Sequence, residues 1–62
     1  MNIENKFDVG EVVEIIIPGI EGHVTAIGIG DGNVIYYEVT YCLGDYIYHY
    51  NFSDYQLKKV LK

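Results

Sequence analysis

Two histidines and one cysteine are the residues of this 62-residue chain that most readily bind metals or act as nucleophiles. His23, His49 and Cys42, combined with Asp31 or Asp54, offer the nitrogen, sulfur and oxygen donors of a metal site. None of them shows the spacing of such sites, two to four residues between cysteines or three to five between histidines. We therefore expect no metal and no cofactor, and a structural or surface role for each residue.

Cys42 and His49 are the best candidates for a nucleophile and its base. They flank the turn at Gly44 and could approach each other across a hairpin, with Cys42 on the face that carries Glu38 and Thr40. Nucleophilic catalysis also requires a group that orients the base and donors that stabilise the developing charge. No residue pattern supplies either, and a lone cysteine in a strand is usually a small packed apolar residue. We expect no catalytic residues, and the chain is not predicted to be an enzyme.

A glycine-rich run, Gly28-Ile29-Gly30-Asp31-Gly32, superficially matches a phosphate-binding loop. Such a loop is followed by a helix and often by a lysine, and neither follows here. A hairpin turn explains the run better. Gly28 and Gly30 then mark either a bulge in the preceding strand or its fraying end.

The charge of the chain opposes nucleic-acid binding. Nine acidic residues against four lysines, with no arginine, give a formal net charge of −5. Phosphate contacts need Lys and Arg, and without Arg the bidentate contacts to phosphate or guanine are absent. We expect no nucleic-acid partner. The acids are spread singly, without a Ca²⁺-loop pattern, so they form either a solvated surface or a mimic of phosphate spacing against a basic partner.

Tyrosine is the one residue type in excess, with seven in the chain. Tyr37 and Tyr41 suit the core of a strand pattern, but a domain this small cannot enclose every ring. Tyrosine is enriched at interfaces because it offers rigid area with a polar tip. Strands also favour tyrosine in general, so rings that simply lie over neighbouring strands stay open as the alternative. The candidate interaction surface consists of four residues: Tyr36, Tyr46, Tyr48 and Tyr50.

Alternating apolar residues predict five strands, near 11–17, 23–29, 34–42, 46–52 and 58–61. Turn signals separate the first four: Pro18-Gly19, Gly30-Asp31-Gly32-Asn33 and Leu43-Gly44-Asp45. Ser53 followed by Gln56 is a capping pattern, and too few residues follow for more than a single 3₁₀ turn near 53–57. The predicted core consists of seven residues: Val13, Ile15, Val24, Ile35, Tyr37, Val39 and Leu57.

The chain is expected to be a single small domain over 7–62, preceded by a flexible tail over 1–6. The single thiol of Cys42 fits a reducing cytoplasm. The first residues lack the apolar segment of a signal peptide. The longest apolar run, Ile15-Ile16-Ile17, is far shorter than the roughly 20 residues of a membrane span. We expect a soluble cytoplasmic protein without membrane contact.

Several motifs resemble known small β domains. Phe7-x-x-Gly10-x-x-Val13 and Gly19-x-x-Gly22-x-Val24-x-x-Ile27 look like the start of a KOW or Tudor-like domain. Tyr37-Glu38-Val39-x-Tyr41 and Asp54-x-Gln56-Leu57 resemble small SH3-like proteins of phages and mobile elements, and the resemblance spans about residues 7–61. It implies an all-β, five-stranded SH3-like barrel with one short 3₁₀ turn before the last strand. Those proteins are mostly uncharacterised, so the resemblance supplies no functional residues.

The sequence favours a non-catalytic protein-interaction module, an accessory protein of a phage or mobile element. It would bind a protein partner, or itself, through the four candidate tyrosines. One alternative is a nucleic-acid-binding KOW-like domain, although the basic loops of such domains are missing here. The other is an acidic inhibitor of a host defence protein.

Overall fold

A computed structural model describes residues 6–60, which form one sheet of five antiparallel strands. The strands are β1 (Val12–Ile15), β2 (Ile20–Ile29), β3 (Ile35–Leu43), β4 (Tyr46–Phe52) and β5 (Leu57–Lys59). Their order across the sheet is β4-β3-β2-β1-β5. The all-β prediction is confirmed. The sheet is open, with β4 and β5 at its two edges.

The limits of several strands differ from the predicted ones. β1 ends at Ile15, whose carbonyl accepts a hydrogen bond of 2.9 Å from the Gly19 N–H and closes a turn. β2 begins at Ile20 rather than at 23, and β4 has its predicted limits. β5 begins one residue early, at Leu57. Most of the predicted tail and the predicted end of the last strand lie outside the described residues.

Two 3₁₀ turns interrupt the sheet, where one was predicted. Asp54–Gln56 is the predicted turn, and its start is held by a 2.8 Å bond from the Ser53 N–H to the Gln56 side chain. Asp31–Asn33 is the additional one, in place of a simple hairpin turn. Gly32 and Asn33 both take positive φ there, 73° and 61°. Neither turn is long enough to cross a membrane, and no other helix occurs between residues 6 and 60.

The core lies on one face of the sheet, over the neighbouring strands β1, β2 and β3. Its buried residues are Phe7, Val13, Ile15, Val24, Tyr37, Val39 and Leu57. Ile35 was predicted to be buried and is only half-buried at the margin. Phe7 takes the remaining place, with its ring edge-on to Tyr37 at a centroid distance of 5.2 Å. The strand pattern missed Phe7 because it precedes the first strand and belongs to no alternation.

A bulge in β2 changes which side chains share a face. The pairing of β2 with β3 shifts between Val24 and Ala26, so Thr25 is the extra residue. Strict alternation along the second strand would predict that Val24 and Ala26 share a face, and this expectation is wrong: Val24 is buried and Ala26 is exposed. The bulge that the glycines suggested does not lie at Gly28, which continues the ladder opposite Tyr36.

Candidate interaction surface

The hairpin of β3 and β4 positions the tyrosines of the fourth strand. Gly44 and Asp45 form its two-residue turn between the paired residues Leu43 and Tyr46. Of the two turn residues only Gly44 has positive φ, 61°, as a type II′ turn requires. The side chains of β4 then alternate, and Tyr46 shares a face with the even-numbered tyrosines that follow it.

Four tyrosine rings on that face form one continuous array, which we call the aromatic surface: Tyr41, Tyr46, Tyr48 and Tyr50. Tyr48 is its centre, since its ring lies 5.6 Å from that of Tyr41, 6.4 Å from that of Tyr46 and 6.3 Å from that of Tyr50. The Tyr48 and Tyr50 planes are only 17° apart. These distances fall within the range of about 4.5–7 Å between ring centroids in which aromatic pairs attract each other.

The aromatic surface is open to solvent because the pairing of β2 with β3 ends before the turn of the β3 and β4 hairpin. The pairing of β2 with β3 reaches Thr40, and beyond that point β3 is paired only with β4. Tyr46 is 70% exposed and Tyr50 is 55% exposed, whereas Tyr48 is half-buried between its neighbours. Of the four candidate tyrosines, Tyr46 and Tyr50 are therefore exposed, and both rings adjoin that of Tyr48.

Tyr36 does not belong to the aromatic surface, although it was grouped with it. It pairs with Gly28 on β2 and lies on the opposite face of the sheet. Its ring covers Gly28 so closely that a Cβ at that position would overlap it. Tyr41 takes its place in the array. Tyr41 was predicted to be in the core, but it is half-buried and packs against the core while stacking on Tyr48.

The opposite face carries a chain of hydrogen bonds. The Thr25 hydroxyl donates to Glu38 Oε1 at 2.7 Å, and the Thr40 hydroxyl donates to Thr25 Oγ1 at 3.1 Å. His49 Nδ1 lies 2.9 Å from Thr40 Oγ1. Since the Thr40 hydrogen is already directed at Thr25, His49 Nδ1 is the donor in that contact. From donor to acceptor, these hydrogen bonds therefore run from the His49 imidazole to the Glu38 carboxylate.

Cys42 and His49 do not form the nucleophile and base pair that the hairpin suggested. Cys42 is exposed and pairs with Ile47 in the ladder, whereas His49 pairs with Thr40. The His49 nitrogen nearest the sheet is hydrogen-bonded to Thr40. Among residues 6–60, no three His, Cys, Asp or Glu side chains come together as metal ligands.

Each lysine of the described part of the chain lies beside a carboxylate. Lys6 Nζ is 3.2 Å from Asp54, Lys58 Nζ is 3.4 Å from Glu14, and Lys59 Nζ is 4.0 Å from Glu11. These ion pairs are exposed and contribute little stability. They do mean that residues 6–60 present no cluster of cations to a phosphate backbone.

A shallow apolar cleft of about 250 Å³ lies at the other end of the sheet. It is lined by Ile15, Ile16, Ile17, Phe52, Tyr55 and Gln56. The Gln56 amide oxygen is already used by the Ser53 N–H. Without converging polar groups the cleft has the shape of a binding site but not its chemistry.

Rigid, uncharged and accessible rings make the aromatic surface the strongest candidate site between residues 6 and 60. The first five residues of β4 bring three of its rings together, and β3 supplies the fourth. Comparison of the chain with known proteins finds no matching family model, no matching curated protein and no matching solved structure.

Proposed function

We propose that this chain is a non-catalytic interaction module that binds protein through the aromatic surface, in the cytoplasm and as an accessory protein of a phage or mobile element. The observation that supports this most directly is the exposure of Tyr46 and Tyr50 in a continuous stack with Tyr41 and Tyr48. Exposed tyrosines that already hold one another in place lose little conformational freedom on binding. Their area is therefore available to a partner at low entropic cost.

The apolar character of the hairpin end supports the same proposal. Leu43 is an exposed large apolar residue that pairs with Tyr46, on the same face as the exposed tyrosines. Single exposed apolar residues are common on soluble proteins, but a contiguous group usually marks an interaction site. The acidic residue nearest to them, Asp45, lies in the turn rather than on β4. The patch thus has the apolar centre and polar rim of a protein interface.

We also propose that the open sheet is a strongly curled, SH3-like arrangement. Its support is the chain order: the second 3₁₀ turn returns the chain so that β5 pairs with β1, on the far side of the sheet from β4. Leu57 at the start of β5 is buried with Val13 and Ile15 in the same core. A short last strand of this kind closes one side of the core while leaving the β3 and β4 hairpin free.

The two alternative functions make different demands on the surface. A KOW-like domain would stack bases on the exposed rings, but a stacking platform works together with a positively charged groove, and the lysines of residues 6–60 are in ion pairs. An acidic inhibitor would use carboxylates in place of the tyrosines. Glu11 and Glu14, the acids of the first strand region, are already in contact with lysines.

The test removes the exposed rings without disturbing the core. The double variant Tyr46→Ser, Tyr50→Ser is compared with the wild type and with Tyr55→Ser as a matched control, because Tyr55 is 78% exposed but lies in the second 3₁₀ turn. Immobilised chain is used to capture protein from an expressing host, and self-association is measured by sedimentation in parallel.

We expect wild type and Tyr55→Ser to retain the same associations, and the double variant to lose them while keeping its far-ultraviolet spectrum. Equal association by all three proteins would contradict the proposal. A further variant reverses the charge of the exposed acids Glu21, Asp31 and Asp45. Loss of association in that variant but not in the tyrosine double variant would instead favour the acidic inhibitor.

A further inference from the structure

The strand that carries the aromatic surface is also an unprotected edge of the sheet. β4 pairs with β3 on one side, and no other strand of residues 6–60 pairs with its second side. Its seven residues, Tyr46–Phe52, include no charged residue and no proline. Natural proteins normally protect such an edge with lysine, proline, a bulge or shortness. β4 has none of these, so its free side is available for pairing with another strand.

The geometry of the hairpin decides which backbone groups face outward. Leu43 and Tyr46 close a two-residue turn and are therefore a hydrogen-bonded pair. Hydrogen-bonded and non-hydrogen-bonded pairs alternate along an antiparallel ladder. The N–H and C=O groups of the even-numbered residues of β4 consequently point to β3. Those of Ile47, His49 and Asn51 point to the open edge.

We propose, building on the proposed interaction function, that the partner of this surface is a second copy of the chain, paired edge to edge and antiparallel through β4 about a two-fold axis at His49. A two-fold axis at an outward-facing residue makes that residue pair with itself. Ile47 then pairs with Asn51 of the second copy, and each such pair exchanges two backbone hydrogen bonds. This axis uses the whole strand, whereas axes at Ile47 or Asn51 pair only its ends.

The same register brings the aromatic surfaces of the two copies together. Tyr48 of one copy lies opposite Tyr50 of the other, and Tyr46 lies opposite Phe52. These are non-hydrogen-bonded pairs, in which side chains are closest, and aromatic cross-strand pairs stabilise a sheet. The array of rings then continues from one copy to the next without interruption. A partner of unrelated sequence would match the tyrosines less regularly than a second β4 does.

Charge allows this contact although each copy carries a net charge of −5. No charged side chain lies on β4, and the exposed side chains that flank the axis on the outer face, Ile47 and Asn51, are neutral at every pH. The general repulsion between copies is long-range and is screened by salt. Higher ionic strength is therefore expected to strengthen the pairing.

The opposite edge explains why the assembly ends at two copies. β5 has only three residues, and two of them are lysines that contact Glu14 and Glu11. Short edges with lysines resist further pairing. A contact that uses the same strand from both copies is closed by its own symmetry. The edge-to-edge contact therefore gives a dimer and not a filament.

The test uses the proposed pairing of position 47 in one copy with position 51 in the other. Ile47 is 64% exposed and Asn51 is exposed, both on the face away from the tyrosines. The basic double variant Ile47→Lys, Asn51→Lys and the acidic double variant Ile47→Glu, Asn51→Glu each place like charges opposite each other in the proposed dimer. Mixing the two variants places opposite charges there. A matched control places two lysines at the exposed, uncharged positions Val34 and Tyr55, outside β4, and so makes the same change of net charge.

Sedimentation velocity from about 5 to about 500 μM covers the affinities of weak interfaces. We expect the wild type and the control to reach the dimer mass, each double variant to dimerise at least about tenfold more weakly, and the mixture to recover the dimer. A monomeric wild type over this range, or a mixture that stays monomeric, overturns the proposed dimer. Loss of partner capture in the Tyr46 and Tyr50 variant would in that case still support the interaction function, so the two failures are distinguishable.

Discussion

The Tyr41 and Tyr48 rings lie 5.6 Å apart, with planes 24° from parallel, across the ladder between β3 and β4. Tyr41 also packs against the buried cluster that contains Val39. The pair therefore joins the core to the exposed end of the hairpin. A two-stranded hairpin is marginal in water on its own, so the contact between these rings adds to the backbone ladder of β3 and β4 in holding the exposed tyrosines in position.

Tyr37→Ala should unfold the domain, while Tyr48→Ala should leave it folded. Tyr37 is 1% exposed, is in edge contact with Phe7, and its hydroxyl accepts the Lys6 N–H at 3.0 Å. Truncating such a ring costs about 3–5 kcal/mol, which is as much as a domain of this size has in total. Tyr48→Ala loses ring contacts worth about 1–2 kcal/mol. Thermal denaturation followed by circular dichroism measures both.

Tyr48→Ala should lose association although it stays folded. Truncation of a central ring at an interface costs about 2 kcal/mol or more of binding, so Tyr48→Ala should abolish capture or self-association at concentrations where the wild type binds. If Tyr48→Ala is as unstable as Tyr37→Ala, or if it leaves every association unchanged, its ring is not part of an interface.

Gly22→Ala should destabilise the sheet by about 1–3 kcal/mol, the usual cost of overpacking. A Cβ on Gly22 would lie 2.7 Å from the Thr40 carbonyl oxygen and 2.8 Å from Val39 Cγ1, a buried core side chain. Gly30→Ala is the control, because its Cβ would meet no atom closer than 3.7 Å and its φ is negative. The two variants should differ in the midpoint of urea denaturation, and equal midpoints would contradict close packing at Gly22.

The chain should not bind nucleic acid at physiological salt. Its lysines between residues 6 and 60 lie beside carboxylates, and its formal charge is −5. Fluorescence anisotropy with labelled single-stranded and duplex oligonucleotides should show no change at micromolar protein. Micromolar affinity that weakens steeply with added salt would reveal phosphate contacts and restore the KOW-like alternative.

Neutral His49 should carry its proton on Nδ1. The Thr40 hydroxyl is directed at Thr25, which leaves Thr40 Oγ1 to accept from His49 Nδ1 at 2.9 Å. Ring nitrogen chemical shifts in a long-range proton–nitrogen spectrum identify the tautomer, and exposed His23 is the internal reference. Thr40→Val removes the acceptor, so the tautomer preference should be lost. An Nε2-protonated His49 in the wild type would mean that Thr40 donates to His49 Nδ1, and would contradict the donor assignment made for this contact.

The sequence alone determined the strands, the two faces of β4 and six of the seven buried residues. Period-two alternation carries this information, because it depends only on which side chains avoid water. The same reasoning explains why Phe7 was missed and Ile35 was overestimated. Phe7 is buried by a chain segment outside any strand, and Ile35 lies at the margin of the core, where alternation continues but burial does not.

Only the tertiary structure decided which tyrosines meet. The bulge at Thr25 and the register of β3 between β2 and β4 place Tyr36 over Gly28, on the face opposite Tyr48. They also bring Tyr41 into the array and direct His49 to Thr40 rather than to Cys42. Register depends on long-range pairing, and a shift of one residue exchanges the faces of a whole strand. Local sequence patterns do not specify that pairing, so the aromatic surface follows from the sheet and not from the tyrosine count.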